Sequence, residues 1–205
     1  MASKLSLYND ALLILGDRKL ASLAEGRDAR RALDDAYDQA LAYCLEKGFW
    51  NFAMRSVQVD SSASVVPTFG YQFAFTKPSD LRRVHSVSAN ETMDPPLLEY
   101  VDETNYWYAN SDPLFVRYIS DDLAYGGDLS LWPETYANYV AHRLAFRTCN
   151  RITGKAPGDD IRVDLKRALS DARSKDAMDE PPGFPPKGSW VRSRTANLTG
   201  MRTGR

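Results

Sequence analysis

The sequence predicts an α+β fold: a helical bundle-like domain formed by the N- and C-terminal helices, an inserted antiparallel β region and an extended C-terminal tail. Three observations carry this reading. Apolar residues recur at helical spacing near both ends of the 205-residue chain, they alternate in the middle, and a Pro-rich run breaks all periodicity after residue 180. The expected division is 1–55 and 129–180 for the helical domain, 56–128 for the β insert and 181–205 for the tail.

Ser6 precedes Leu7, Ala11, Leu12, Ile14 and Leu15, which predicts a short helix capped by Ser6 and ended by Gly16. Asp28 is placed to cap a long helix through Lys47, with Ala32 or Leu33, Ala36 or Tyr37, Ala40 or Leu41 and Cys44 or Leu45 on one face and Gly48 as the stop. Tyr37, Phe49, Trp50 and Phe52 are the expected core anchors, since each buried aromatic contributes about 1.5–3 kcal/mol through apolar transfer. Alternation then predicts strands at 56–60, 71–75, 81–87, 97–101, 105–108 and 114–119, separated by Pro, Gly and Asp turns. Helical spacing returns from Leu131, with Pro133 tolerated in a first turn, and ends near Gly154. A last helix starts at Asp159 or Asp160 and carries Ile161, Leu165, Ala168 or Leu169 and Ala172 on one stripe.

Ordinary apolar content, with 43% hydrophobic residues, excludes a charge-driven disordered chain, and two cysteines exclude a disulfide-stapled miniature. Cys44 and Cys149 sit in helical patterns and are expected as buried thiols rather than a disulfide or metal pair. No apolar run approaches the ~20 residues of a spanning helix, and the N-terminus lacks a signal-peptide pattern, so the expected product is soluble and intracellular.

The 26 basic and 27 acidic side chains nearly cancel, but they are segregated. From Ser86 to Thr135 ten acids face Arg117 alone, a formal charge of −9, whereas from Pro182 onward five basic residues meet no acid. Opposed regions of this kind point to contacts between molecules rather than to a single uniform surface.

The chemistry-bearing residues are sparse. No Walker, Rossmann, nucleophile-elbow, zinc-finger or EF-hand spacing occurs, and His85 and His142 are the whole imidazole supply. No cofactor, metal site or catalytic residue is assigned. Asp121 and Asp122 are the one carboxylate pair to weigh for glycan hydrolysis, but neighbours in a strand point to opposite faces, whereas that chemistry needs two carboxyls across a cleft. A tail-associated glycan hydrolase therefore stands as an alternative reading. Less favoured is a DNA-binding accessory protein touching phosphates through Arg82, Arg83 and the basic tail.

One ordered set of motifs goes further. Leu12 to Gly16, Ser22-Leu23-x-Glu25, Ala29-Arg30, Tyr37 and the string Glu46-Lys47-Gly48-Phe49-Trp50-Asn51-Phe52-Ala53 resemble the tail tubular protein A family of T7-like, short-tailed bacteriophages. Tyr71 to Phe75 and Pro78-Ser79-Asp80-Leu81-Arg82-Arg83-Val84 continue the resemblance, which is most specific over the first 85 residues and extends through Trp132 to Cys149 and Ile161 to Ala172.

The resemblance implies a head-to-tail adaptor, or gatekeeper, that assembles in the host cytoplasm into a twelve-subunit ring at the head–tail interface of the virion. Its implied partners are further copies of itself, the portal protein and the tail nozzle protein, with non-specific proximity to DNA in the channel and no membrane spanning. The resemblance makes Phe184, Trp190, Arg192 and Arg194 candidates for portal contact. Tyr106, Trp107, Tyr108, Asp121 and Asp122 become candidates for contact with the nozzle or a neighbouring subunit.

Overall fold

The computed structural model describes residues 2–179. Helix α1 spans Lys4–Ile14 and begins one turn earlier than the apolar spacing predicts. Ser3 is its cap: the Ser3 hydroxyl accepts the Ser6 N–H at 3.1 Å while the Ser6 hydroxyl accepts the Ser3 N–H at 2.9 Å, a reciprocal box that moves Ser6 inside the helix. Leu7, Tyr8, Ala11 and Leu12 are its buried face. Helix α2, Asp28–Glu46, buries Ala32, Leu33, Ala36, Ala40, Cys44 and Leu45 along the expected stripe. Its cap position is Arg27, so Asp28 does not cap it; the carboxylate lies in the first turn, where its charge complements the helix dipole.

Beyond α2 the chain turns through Gly48 and a 3₁₀ segment, Asn51–Ala53, into six strands: β1 Met54–Val59, β2 Phe73–Thr76, β3 Leu81–Ser88, β4 Val101–Asp102, β5 Tyr106–Ala109 and β6 Leu114–Ser120. They form two antiparallel three-stranded sheets, ordered β1-β6-β3 and β2-β5-β4. The strand expected over 97–101 is reduced to the two residues of β4, and the chain from Glu91 to Glu99 is a loop. Helix α3, Glu134–Thr153, follows Pro133, which occupies the cap position instead of the first turn, and Gly154 ends it in the left-handed conformation. Helix α4, Asp159–Asp179, packs on α3, burying Ala168 and Ala172 while Ile161, Leu165 and Leu169 are half-covered. Among the described residues no helix is long and apolar enough to cross a membrane.

This α+β fold has two apolar clusters. The larger joins α1 to α4 with Trp50, Ala53 and Ile119; the smaller holds Phe75, Val87, Trp107, Ala109, Leu114, Val116 and Tyr118 between the sheets. Strand β6 serves both, because successive side chains of a strand point to opposite faces: Leu114, Val116 and Tyr118 enter the β cluster and Ile119 enters the helical one.

Trp50 is the centre of the helical cluster. Its indole N–H donates to the Cys44 carbonyl at 3.0 Å, and its ring meets Tyr136 edge-on at 4.8 Å. Phe52 and Trp132 close on the same Tyr136 ring at 4.7 and 4.9 Å. Tyr37 is half-buried at the rim, edge-on to Tyr8 at 5.9 Å, and Phe52 is half-buried as well. Phe49 is not a core anchor: it is 39% exposed, because extended backbone at Trp50 sends neighbouring side chains opposite ways and the core takes the indole. Cys44 and Cys149 are buried free thiols. Burial pushes Cys44 up to about 12 despite the Tyr139 hydroxyl and the nearby Arg143.

Two substitutions in this cluster have opposite expected signs. Trp50→Ala removes the largest apolar contact and should cost about 3–5 kcal/mol in a urea unfolding curve. Tyr136 is fully covered and its hydroxyl has no hydrogen-bond partner among the described residues, so Tyr136→Phe should leave stability unchanged or raise it by about 1 kcal/mol.

Candidate interaction surfaces

The three strands of the β1-β6-β3 sheet are tied together by a polar cluster around Asp80, in the turn before β3. Arg55 of β1 donates to Oδ2 at 2.8 Å, the Tyr118 hydroxyl reaches both carboxylate oxygens at 3.1 Å, and the Ser120 hydroxyl donates as well. The Arg55 guanidinium also lies 5.3 Å from the Tyr125 ring centre. Burial acts to raise the Asp80 carboxyl, but the hydrogen bonds from Ser120, Arg55 and Tyr118 outweigh it and hold the group below the usual carboxylate range. The Tyr118 phenol is pushed up by burial and by the Asp80 charge. Asp80, part of the Pro-Ser-Asp motif, thus holds the sheet in register rather than facing a ligand.

Strand β5 presents the aromatic triplet. Tyr106 and Tyr108 lie half-exposed on one face with ring centres 6.4 Å apart. Trp107 turns the other way and is 0% exposed, its indole N–H donating to Asp102 at 3.2 Å and Lys77 lying over its ring. It is a core residue and is not available to a partner: period-two geometry sends its ring opposite to those of Tyr106 and Tyr108, and burial puts the indole on the inner face. Beside Tyr108, the segment Pro67–Tyr71 closes a shallow groove of about 200 Å³ with Val101 and Glu103, and Phe69 stands 87% exposed at its edge.

Asp121 and Asp122 follow β6 in a turn. Asp121 receives the Arg82 guanidinium, with Nε at 2.7 Å, and Asp122 accepts the Ala124 N–H at 2.8 Å. One is an ion-pair partner and the other a turn-forming residue, so both carboxylates have structural partners and neither lines the grooves described here. His142 contacts the Asn138 carbonyl through Nδ1 at 2.9 Å, and His85 contacts the Ser86 hydroxyl at 3.1 Å. Among the described residues no group of three or more His, Cys, Asp or Glu side chains is placed to hold a metal ion.

A second groove, of about 480 Å³, runs where the end of α2, strand β3 and the end of α4 meet. Its floor includes Phe49 and Trp50, and Lys47, Arg83 and Arg173 supply its charge. Arg83 stacks on the Phe49 ring at 4.0 Å and donates to the Glu46 carbonyl at 3.1 Å; Arg173 donates to the Lys47 carbonyl, and Lys47 lies over Tyr43 at 4.7 Å. None of these three cations forms an ion pair among the described residues. Among the described residues the one acid lining the groove is Asp176, which accepts the Asn51 N–H at 2.9 Å. Neither Lys47 nor Arg173 stands out in the sequence, because residues 47, 83 and 173 are adjacent only after folding. The Arg82-Arg83 pair was the available signal, and strand alternation splits it: Arg82 goes to Asp121 and Arg83 to this groove.

Phe184, Trp190, Arg192 and Arg194 lie outside the described residues. No protein-family model matches the chain, and no curated protein is significantly similar to it.

The Asp80 cluster predicts a specific acid limb. Asp80→Asn should cost about 2–3 kcal/mol at neutral pH. Because the folded carboxyl titrates below the unfolded value of about 3.9, its contribution is complete above that pH and is lost as pH falls through the folded pKa. Urea unfolding of the two proteins at a series of pH values should therefore show a stability gap that closes only in acid; a gap independent of pH would contradict the assignment.

Proposed function

We propose that this chain is a structural adaptor, a ring-forming subunit that joins a phage portal to the tail nozzle at the head–tail interface and contributes to the channel through which DNA leaves. The observation that carries the reading is the ordered motif set from Leu12 to Val84, with its centre in the Glu46–Ala53 string, and its resemblance to the tail tubular protein A family. The string makes the elbow between α2 and β1, where the Trp50 indole is anchored on the Cys44 carbonyl.

The role is assembly rather than turnover. A heterologous interface repeated by rotation closes into a ring, twelve subunits in the family this chain resembles. The basic tail, with Phe184 and Trp190 as apolar anchors and Arg192 and Arg194 as charged ones, is the portal-docking segment of this reading. The half-exposed Tyr106 and Tyr108 supply a nozzle-side or neighbour contact, with Asp121 and Asp122 on the adjoining turn. A negative surface facing the channel would keep DNA from adhering as it passes.

Electron microscopy of the chain mixed with its portal tests the reading directly, and twelve-fold density on the portal is the expected result. Removing residues 181–205 should leave the cooperative unfolding transition in place, since the two apolar clusters of the described residues are built from residues up to Ala172, and should weaken portal binding at least tenfold. Unchanged binding by the shortened chain would overturn the docking role of the tail.

A further inference from the structure

The groove at the end of α2 and the loop that follows β3 are complementary, and one strand holds them apart. The groove sets an exposed phenylalanine, Phe49, among Lys47, Arg83 and Arg173. The loop of residues 89–100 sets an exposed leucine, Leu98, 86% accessible, among Glu91, Asp94 and Glu99. No basic residue lies in that loop, and none of its three acids forms an ion pair among the described residues. The loop is also preorganised: the Leu97 N–H donates to the Val87 carbonyl at 2.8 Å, and the Ser88 hydroxyl donates to the Pro95 carbonyl at 3.0 Å.

Arg83 lies near the start of β3 and the loop begins just past its end. Six residue steps along the strand separate Arg83 from Ala89 by about 20 Å at ~3.3 Å per residue, and β3 is held by pairing with β6. The Leu97–Val87 hydrogen bond holds the loop at the far end of β3 from the groove of its own chain. A base-rimmed groove and an acid-rimmed apolar knob on opposite ends of one strand are the two halves of a head-to-tail contact.

From this we infer that the groove of Lys47, Phe49, Arg83 and Arg173 receives the 89–100 loop of a second copy of this chain, Leu98 packing toward Phe49 while the loop acids meet the groove cations. The inference deepens the adaptor reading, from which it takes self-association, and names the residues that make the subunit contact. Charge complementarity favours an acidic occupant for the groove cations, and the 89–100 loop supplies three acids and no base, whereas from Pro182 onward the sequence carries five basic residues and no acid.

Sedimentation of the full chain at low salt and high concentration, alone and in mixtures, tests the contact. The wild type should self-associate, and Arg83→Glu, Arg173→Glu and the double change Glu91→Arg with Glu99→Arg should each weaken association about tenfold or more. Thermal unfolding should stay cooperative in every variant, with the exposed loop variant matching wild type and a modest loss where Arg83 and Arg173 give up their carbonyl hydrogen bonds. An equimolar mixture of Arg83→Glu with the doubly changed loop should recover association, because each variant keeps the half that the other has lost; a mixture no more associated than its parts overturns the contact. The same substitutions are read on portal-bound rings. Rings that form equally well from Arg83→Glu protein overturn the contact and leave the adaptor reading in place, whereas a wild-type chain that neither self-associates nor assembles on the portal overturns both. Salt-sensitive binding of duplex DNA lost in Arg83→Glu, with self-association unchanged, assigns the groove to nucleic acid instead. A peptide of residues 181–205 that binds wild type but not Arg83→Glu assigns it to the tail, and either result overturns the proposal.

Discussion

Burial of the Trp50 indole is the constraint on which the rest of the structure depends. The ring sits at the point where the chain leaves α2, crosses the core and starts β1, and its N–H donates to the Cys44 carbonyl in the last turn of α2, which also accepts the Lys47 N–H. Gly48 makes this possible, since a Cβ at that position would overlap the indole. With Trp50 in place, β1 leaves the core in a fixed direction and pairs with β6 from Met54 opposite Ile119 to Val59 opposite Leu114. That register is what brings Ile119 into the helical cluster while Tyr118 enters the other, so one aromatic ring couples the two cores.

The polar counterpart is Asp80. Its partners Arg55, Tyr118 and Ser120 come from β1 and β6, the other two strands of the sheet in which β3 pairs with β6, and the three donors together satisfy the carboxylate. A similar tightness holds at Gly126, where an added Cβ would collide with the Ser120 carbonyl oxygen and whose own carbonyl accepts the Trp132 indole N–H at 2.9 Å. The return from the β region to α3 is thus fixed by backbone approach as much as by side-chain packing.

Electrostatics follow from this scaffold rather than from composition. Of the ten acids between Ser86 and Thr135, Asp102 pairs with Lys77, Asp121 pairs with Arg82, Asp112 accepts from Ser61 and Asp128 caps the turn before α3. Of the other six, Glu91, Asp94 and Glu99 share one exposed loop, while Glu103, Asp122 and Glu134 are exposed elsewhere. The stretch that reads as one acidic block is therefore a set of internal ties plus a localised patch, and the basic groove at the other end of β3 is its opposite in sign.

Helical and strand periods, the Trp50 anchor and the sequence of elements were legible in the chain, because each depends on residues a few positions apart and on backbone geometry that every chain shares. Caps were less so: Ser3 and Ser6 are both plausible caps three residues apart, and the reciprocal pair of hydrogen bonds between them, which sets the helix start, exists only once the turn has formed. Phe49 and Trp107 read as members of aromatic runs, yet one is turned outward and the other inward, since a run in extended backbone must divide its side chains between two faces and burial decides which face is the core. The groove of Lys47, Arg83 and Arg173 belongs wholly to the tertiary level. Its members come from the end of α2, strand β3 and helix α4, and what places three cations around one ring is the packing of those elements, which no local spacing encodes. The sequence by itself determined which segments are helix and strand and that charge is segregated along the chain; only the folded arrangement decided which charges are paired internally and which are left on the surface.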